Sequence, residues 1–259
     1  MKFVIKSKNR VDKLNSMTYG LLKRYDVPDN EIYIFITNED LENYKNNFIK
    51  CNLIVAPNGI VNTDNFIVDY FDEDEKYIYM NDDVSKIYKL NENNKKNEIN
   101  TEEFNNLVNK LFEEMIKDDV SYSGLYPCDS DMYMKNAPEI SKGLVLIMDP
   151  FSAVINNKSI KLNICEDIND NYKTDFEKSI QHFICKKGLI RFNKYCLKVQ
   201  YYGNDDGGIV GRNAEIERIN AEWMKYKYPE YITSINTKKN GNTSLRLKKI
   251  KGKNEDIKV

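Results

Sequence analysis

The chain has little of what most catalytic fingerprints require. Its 259 residues contain one histidine (His182), one tryptophan, six prolines and five cysteines. A single histidine argues against a zinc site built on imidazoles. The cysteines, at 51, 128, 165, 185 and 196, are odd in number and form no C-x-x-C pair. That usage fits reduced thiols, and with them a cytoplasmic location, better than a disulfide framework. No apolar run approaches the ~18 residues that span a bilayer. The opening MKFVIKSKNR is too polar for a signal-peptide core, so no membrane association is expected. Neither sign of charge dominates: 39 basic against 40 acidic residues leave a net charge of −1, which excludes a uniformly basic nucleic-acid coat. G-x-S-x-G, P-loop and G-x-G-x-x-G patterns are all missing, and with them the common hydrolase, NTPase and dinucleotide signatures.

What is present suffices for a folded core: 41% of the residues are hydrophobic and 12% aromatic. The order of the segments predicts an α/β sheet. Phe3-Val4-Ile5 reads as a strand and Ser7-Lys8-Asn9-Arg10 as a polar turn. Val11, Leu14, Thr18, Leu21, Leu22 and Tyr25 then recur at helical spacing. A second strand follows at 31–36, a short helix near 41–48, and a third strand at 52–56, stopped by Pro57-Asn58-Gly59. Strands alternating with helices argue for parallel βαβ units.

Tyr77-Ile78-Tyr79-Met80 is a fourth apolar strand, followed directly by Asn81-Asp82-Asp83. Ligands of open α/β sheets bind outside the carboxyl ends of the strands. Two carboxylates there are placed to hold a hard divalent cation, Mn²⁺ or Mg²⁺, against diphosphate oxygens. The plain alternative is a solvated Asx turn. The stretch 91–99 (NENNKKNEI) reads as a surface loop by composition. A helix capped by Asn100 or Thr101 comes next, with Phe104, Leu107, Val108, Leu111, Phe112 and Met115 as its core face.

The second half carries a turn-rich stretch at 121–131, a strand at 143–148, and a strand pair at 151–155 and 160–164 joined by Asn156-Asn157-Lys158. Cys165-Glu166-Asp167 then precedes a helix whose Thr174 and Glu177 form a capping-box pattern. A carboxylate there could take a proton from an acceptor hydroxyl, and a solvated turn is the alternative. His182, alone on that helix, reads as structural. The glycine-rich 203–208 loop and Arg212 stand before a helix at about 213–226, where phosphate contacts or an ordinary loop both fit. Residues 238–253 (KKNGNTSLRLKKIKGK) carry seven basic side chains and no acid. Such a patch suits a polyanion, and equally a solvated tail.

The opening strand with Ser7-Lys8-Asn9-Arg10, the Asn81-Asp82-Asp83 triplet and Cys165-Glu166-Asp167 together resemble the nucleotide-sugar-dependent glycosyltransferases of GT-A fold. The two acidic motifs match that family's metal motif and its x-Glu-Asp motif in order and separation. With Ser123-Gly124-Leu125-Tyr126-Pro127 and Gly207-Gly208…Arg212, the chain more narrowly resembles phage and viral enzymes that glycosylate hydroxymethylated pyrimidines in DNA, relatives of the base-J glucosyltransferase. The resemblance implies one catalytic domain over 1–230, with a nucleotide-sugar half (1–120) and an acceptor half (121–230), and a basic extension over 231–259. It implies that Asp83, with Asp82, holds Mn²⁺ or Mg²⁺ on the donor, UDP-glucose. Ser7, Arg10, Asn81, Asp82 and Arg212 would bind the nucleotide sugar, and Asp167 beside Glu166 would be the base. Asn81 replaces the motif's first Asp, and no histidine follows in the C-terminal part to complete a metal shell, which favours inversion. The alternatives are a glycosyltransferase acting on a cell-surface glycan and a non-catalytic binding module of the same fold.

Overall fold

The computed structural model describes residues 1–199, 213–237 and 243–253. In chain order the elements are β1 (Lys2–Lys6), α1 (Val11–Leu14), α2 (Gly20–Arg24), β2 (Ile32–Ile36), α3 (Leu41–Asn47), β3 (Asn52–Val55), α4 (Ile60–Tyr70), β4 (Lys76–Asn81), β5 (Val84–Leu90), β6 (Lys96–Glu98), α5 (Thr101–Asp118) and β7 (Tyr122–Tyr126). They continue with α6 (Asp131–Asn136), β8 (Ile140–Gly143), β9 (Phe151–Ile155), α7 (Thr174–Lys186), β10 (Leu189–Val199), α8 (Ala214–Lys227), β11 (Ile232–Thr237) and β12 (Thr243–Leu247).

The fold is mixed α/β, built on a ten-stranded mixed sheet. Its strand order is β3-β2-β1-β4-β9-β7-β10-β5-β6, with β8 added alongside β10. β1 to β4 pair in parallel, as the alternation predicts. β9 runs antiparallel between β4 and β7, while β10 is parallel to β7 and antiparallel to β5. The carboxyl ends of β1 to β4, β7 and β10 therefore share one edge of the sheet, and β5 starts from it.

Both faces of the sheet are covered, and the strand residues divide between them by the two-residue period. Phe3 and Ile5 face one core with Ile34, Ile78 and Met80, under α2 and α5. Val4, Phe35, Tyr77 and Tyr79 face the other, under α4, α7 and α8. Of the two candidate caps of α5, Asn100 takes the position and closes a capping box with Glu103: Asn100 Oδ1 accepts from Glu103 N at 2.9 Å and Glu103 Oε2 accepts from Asn100 N at 3.3 Å.

Several expectations fail. The stretch 91–99 is not all loop, since Lys96–Glu98 turns back as β6 against β5. The turn-rich 121–131 contains β7, an interior strand, because small Ser123 and Gly124 fit between packed neighbours. The strand expected at 143–148 ends at Gly143. Gly143 adopts φ +88°, and a Cβ there would lie 2.4 Å from the Ile250 carbonyl oxygen. The expected partner strand at 160–164 is irregular, with Asn65 bonding both the N–H and the carbonyl of Leu162.

The expected Thr174–Glu177 capping box does not form either, because tertiary partners take both side chains. Thr174 Oγ1 donates to Asp149 Oδ2 at 3.1 Å. Glu177 is fully buried and accepts from Asn163 Nδ2 at 2.7 Å, Asn171 Nδ2 at 2.6 Å and Tyr228 OH at 2.7 Å. It joins the loop before α7 to the end of α8. Glu177→Leu removes the acceptor of these donors and of Asn163 N, so it should cost on the order of 3 kcal/mol. A thermal melt should fall by roughly 6–12 °C.

The segment after α8 is packed on the body. β11 and β12 form a separate two-stranded sheet whose Ile232 and Leu245 are buried in the core under α7 and α8. Beyond it, Leu144 N donates to Ile250 O at 2.9 Å, and Lys253 N to Lys187 O at 3.0 Å.

Candidate functional site

The carboxyl edge of β1 and β4 is where the sequence places the donor, and the side chains converge there. Asn81 closes β4, and Asp82-Asp83 turns the chain into β5, a strand where a βα series would put a helix. Thr18 clamps this turn from both sides: its Oγ1 donates to Asn81 O at 2.7 Å and accepts from Val84 N at 2.9 Å. Thr18 sits in the π-helical turn Asn15–Tyr19 between α1 and α2, an irregularity common at functional sites. Its spacing alone made it look like one more residue of the helix's core face.

Asp82 is buried and both of its oxygens are engaged. Ser7 Oγ donates to Oδ2 at 2.6 Å, and Arg10 Nη1 to Oδ1 at 3.2 Å. Tyr44 OH lies 2.7 Å from Ser7 Oγ and accepts from Arg10 N at 3.2 Å. Asp40, bonded by Thr37 Oγ1 at 3.0 Å, accepts from Asn9 N at 3.2 Å. The turn 7–10 is thereby fixed by three elements. Ser7, Arg10, Asn81 and Asp82 are brought together; Arg212 and the 203–208 loop lie outside the described residues.

Asp83 differs from its neighbour. Its Oδ1 is buried without a hydrogen-bond partner, and so is Asn81 Oδ1. Burial first, then the charge of Asp82, push the Asp83 carboxyl up to about 6, against the pull of Lys13 and Arg10. Two buried oxygen acceptors without donors at one turn fit a hard cation, which prefers oxygen ligands. No group of three or more His, Cys, Asp or Glu side chains among the described residues could hold a metal by itself. Asp83 and the Asn81 amide oxygen are the residues that would hold such a cation, with its remaining ligands coming from outside the protein, the usual mode for Mg²⁺.

Glu166 and Asp167 occupy a 3₁₀ turn, Glu166–Ile168, and no strand precedes it. Both are exposed, and their side chains make no hydrogen bond or ion pair among the described residues. The turn is anchored by Asp170, whose carboxylate accepts from Ile60 N at 3.0 Å and Val61 N at 3.1 Å. Gly59, at φ +104°, starts α4 there, and the helix's positive end favours the carboxylate. Lys8 Nζ donates to Asn58 Oδ1 at 2.8 Å, tying this corner to the 7–10 turn.

A second carboxylate went unnoticed in the sequence. Asp175 lies half-buried in the first turn of α7, its Oδ1 accepting from Phe176 N at 2.9 Å. Burial and then the charge of Asp149 raise its carboxyl to about 6, opposed by Lys173 and Lys178. Asp149 precedes Pro150, whose carbonyl accepts from Asn81 N at 3.4 Å, so this acid pair borders the end of β4. The signal was present as an acidic residue at a helix start. Reading Thr174 and Glu177 as a capping pair masked it.

His182 is structural, as expected. It is buried, stacks on Tyr122 at 4.5 Å and pairs with Ser121 Oγ at 2.8 Å, and burial holds it neutral with its pKa lowered to about 3. The five cysteines are free thiols. No described helix is long and apolar enough to cross a membrane.

No family model matches the chain, and no curated protein does. Among solved structures it is similar to GalNAc-T7 crystallised with UDP, GalNAc and Mn²⁺, at 12% identity and TM-score 0.47, covering 87% of this chain and 49% of that one. It is also similar to the galactosyltransferase LgtC in complex with donor and acceptor sugar analogues, at 11% identity and TM-score 0.40, covering 74% and 73%. A third is the 4-diphosphocytidyl-2C-methyl-D-erythritol synthase from Anaerococcus prevotii, at 13% identity and TM-score 0.35, covering 86% and 97%. The chain spans about half the length of the first of these.

Proposed function

We propose that this protein is an inverting glycosyltransferase of GT-A type that takes a nucleotide diphosphate sugar, UDP-glucose in the simplest case, with Mn²⁺ or Mg²⁺. The observation that carries this reading is the division of labour at the β4 turn. Asp82 is spent on Ser7 and Arg10, while Asp83 and Asn81 each keep a buried oxygen without a donor. A bound divalent cation there would supply Lewis-acid stabilisation of the departing diphosphate. Ser7 and Arg10 are held where a nucleotide would lie across the ends of β1 and β4, and Arg212 is assigned to the donor phosphates.

The base is Asp175. Support for it over Asp167 comes from its burial, its acidic neighbour Asp149 and a pKa near working pH, which suits proton abstraction. As a carboxylate it would accept the proton of the acceptor hydroxyl as that oxygen attacks the anomeric carbon. Glu166 and Asp167, exposed at the α4 corner, take no part in that step.

The acceptor is a hydroxymethylated pyrimidine in DNA. Support comes from the C-terminal segment, where Arg246, Lys248, Lys249 and Lys251 are exposed; Lys238, Lys239 and Lys258 lie outside the described residues. The test is incubation with a panel of nucleotide sugars and hydroxymethylated DNA, read by nucleoside mass spectrometry. Metal-dependent donor hydrolysis without any acceptor separates an enzyme from a binding module. Because residues 231–253 are packed on the body, charge reversal probes the patch better than truncation. Arg246→Glu with Lys248→Glu and Lys249→Glu should weaken DNA binding and flatten its salt dependence by about one slope unit per lost phosphate contact. An unchanged slope would point to a glycan acceptor.

A further inference from the structure

Beneath the edge that carries Asp82 and Asp175 runs a chain of buried ions that the proposed chemistry does not itself use. Lys6, the last residue of β1, donates through Nζ to Asp64 Oδ1 and Oδ2 on α4 at 2.9 and 3.0 Å. Tyr79 OH, on β4, donates to Asp64 Oδ1 at 2.8 Å. Lys178 on α7 reaches the same carboxylate at 3.0 Å and both oxygens of Asp149 at 3.1 Å. Its ammonium also lies 4.2 Å from the Tyr79 ring centroid. The side chains of Asp64, Asp149 and Lys178 are only 3%, 11% and 12% exposed.

Such a chain is a poor way to gain stability. Desolvating buried ions costs about as much as their attraction returns, and apolar packing at equal volume often does as well. What it does supply is geometry. It joins the carboxyl end of β1, the body of α4, the start of β9 and the first turns of α7, and the donor turn and the base belong to the first and last of these. We propose that Lys178 is a positioning residue, which, clamped between Asp64 and Asp149, locks the first turn of α7 and so fixes the place and charge environment of the Asp175 carboxylate. The functional weight of this inference rests on Asp175 being the base, but the network itself is testable without that reading.

The charged and titratable groups that face Asp175 are Asp149, Lys173 and Lys178, together with the phenol of Tyr122. The experiment is a carboxyl-carbon NMR titration of the full chain labelled in aspartate, with the Asp175 signal assigned by Asp175→Asn. In Asp149→Asn, which keeps one acceptor oxygen within reach of Thr174 and Lys178 but removes the charge, the Asp175 midpoint should fall by about one pH unit. In Lys178→Met it should rise by a similar amount, and in Lys178→Arg it should return toward the wild-type value. The acid limb of donor hydrolysis should move in step with each midpoint. Should Lys178→Met fail to fold by circular dichroism, Asp149→Asn and Lys178→Arg carry the test. Lower melting temperatures with an unmoved Asp175 midpoint would overturn the proposal and leave the chain a purely structural one. Full activity of Asp175→Asn would instead overturn the base assignment, while the midpoints still report on the network.

Discussion

Asp83→Ala should abolish metal-dependent binding of the nucleotide sugar and leave the fold intact. Even supporting residues around a metal are worth 10–100-fold in affinity, so loss of the carboxylate ligand should remove at least ~100-fold of the metal-dependent part. The fold should survive because Asp83 accepts no bond from the body of the protein through its buried Oδ1. The carboxylate is destabilised where it sits, by burial and by Asp82, so deleting it relieves a like-charge contact. Calorimetry of donor binding with and without Mn²⁺, beside a thermal melt, reads both halves. Asp82→Ala should behave differently, since it removes an acceptor from the Ser7 hydroxyl and from the Arg10 guanidinium and loosens the 7–10 turn. Equal metal-dependent affinity in Asp83→Ala and wild type would remove Asp83 from the metal site.

Asp175→Asn should lower kcat by about 10²–10⁴, the usual weight of a general base, with donor KM little changed. Asp167→Asn, an exposed substitution, should fall far less. The wild-type rate should rise with pH through about 6 and level off above it, because only the ionised carboxyl accepts a proton. Stability should move the other way. The folded state holds the Asp175 proton more tightly than the unfolded chain, so stability declines as pH rises from about 4 to about 6, and the Asn variant loses that decline. Product NMR should show the anomeric configuration opposite to the donor's. Should Asp167→Asn be the inactive variant, the base belongs to the x-Glu-Asp turn and Asp175 is a structural acid.

The turns at the carboxyl ends of β1 and β4 were legible in the sequence because their signals are local. An apolar strand running straight into Asn81-Asp82-Asp83 puts carboxylates at a strand end whatever the rest of the chain does, and the Ser7 to Arg10 turn follows β1 by the same logic. Parallel pairing of β1 to β4 followed from their alternation with helices. The second half read less well for a physical reason. Its β7 and β9 are short and interior, so β7 could be built from Ser123 and Gly124 in a stretch that looks like a turn, and residues 160–164, apolar enough for a strand, are held by Asn65 instead.

The sequence by itself determined the two-faced sheet, the α5 helix with its cap, the structural place of His182 and the acidic turn at the end of β4, since periodicity and capping act over a few residues. Only the tertiary structure decided that Asp82 is consumed by Ser7 and Arg10 while Asp83 is left open, that Thr18 clamps the turn, and that Asp149 comes to stand beside Asp175. Those pairings join residues 26 to 75 positions apart. No local rule ranks one carboxylate above another until packing has fixed which of them lose water, which gain donors and which face a like charge.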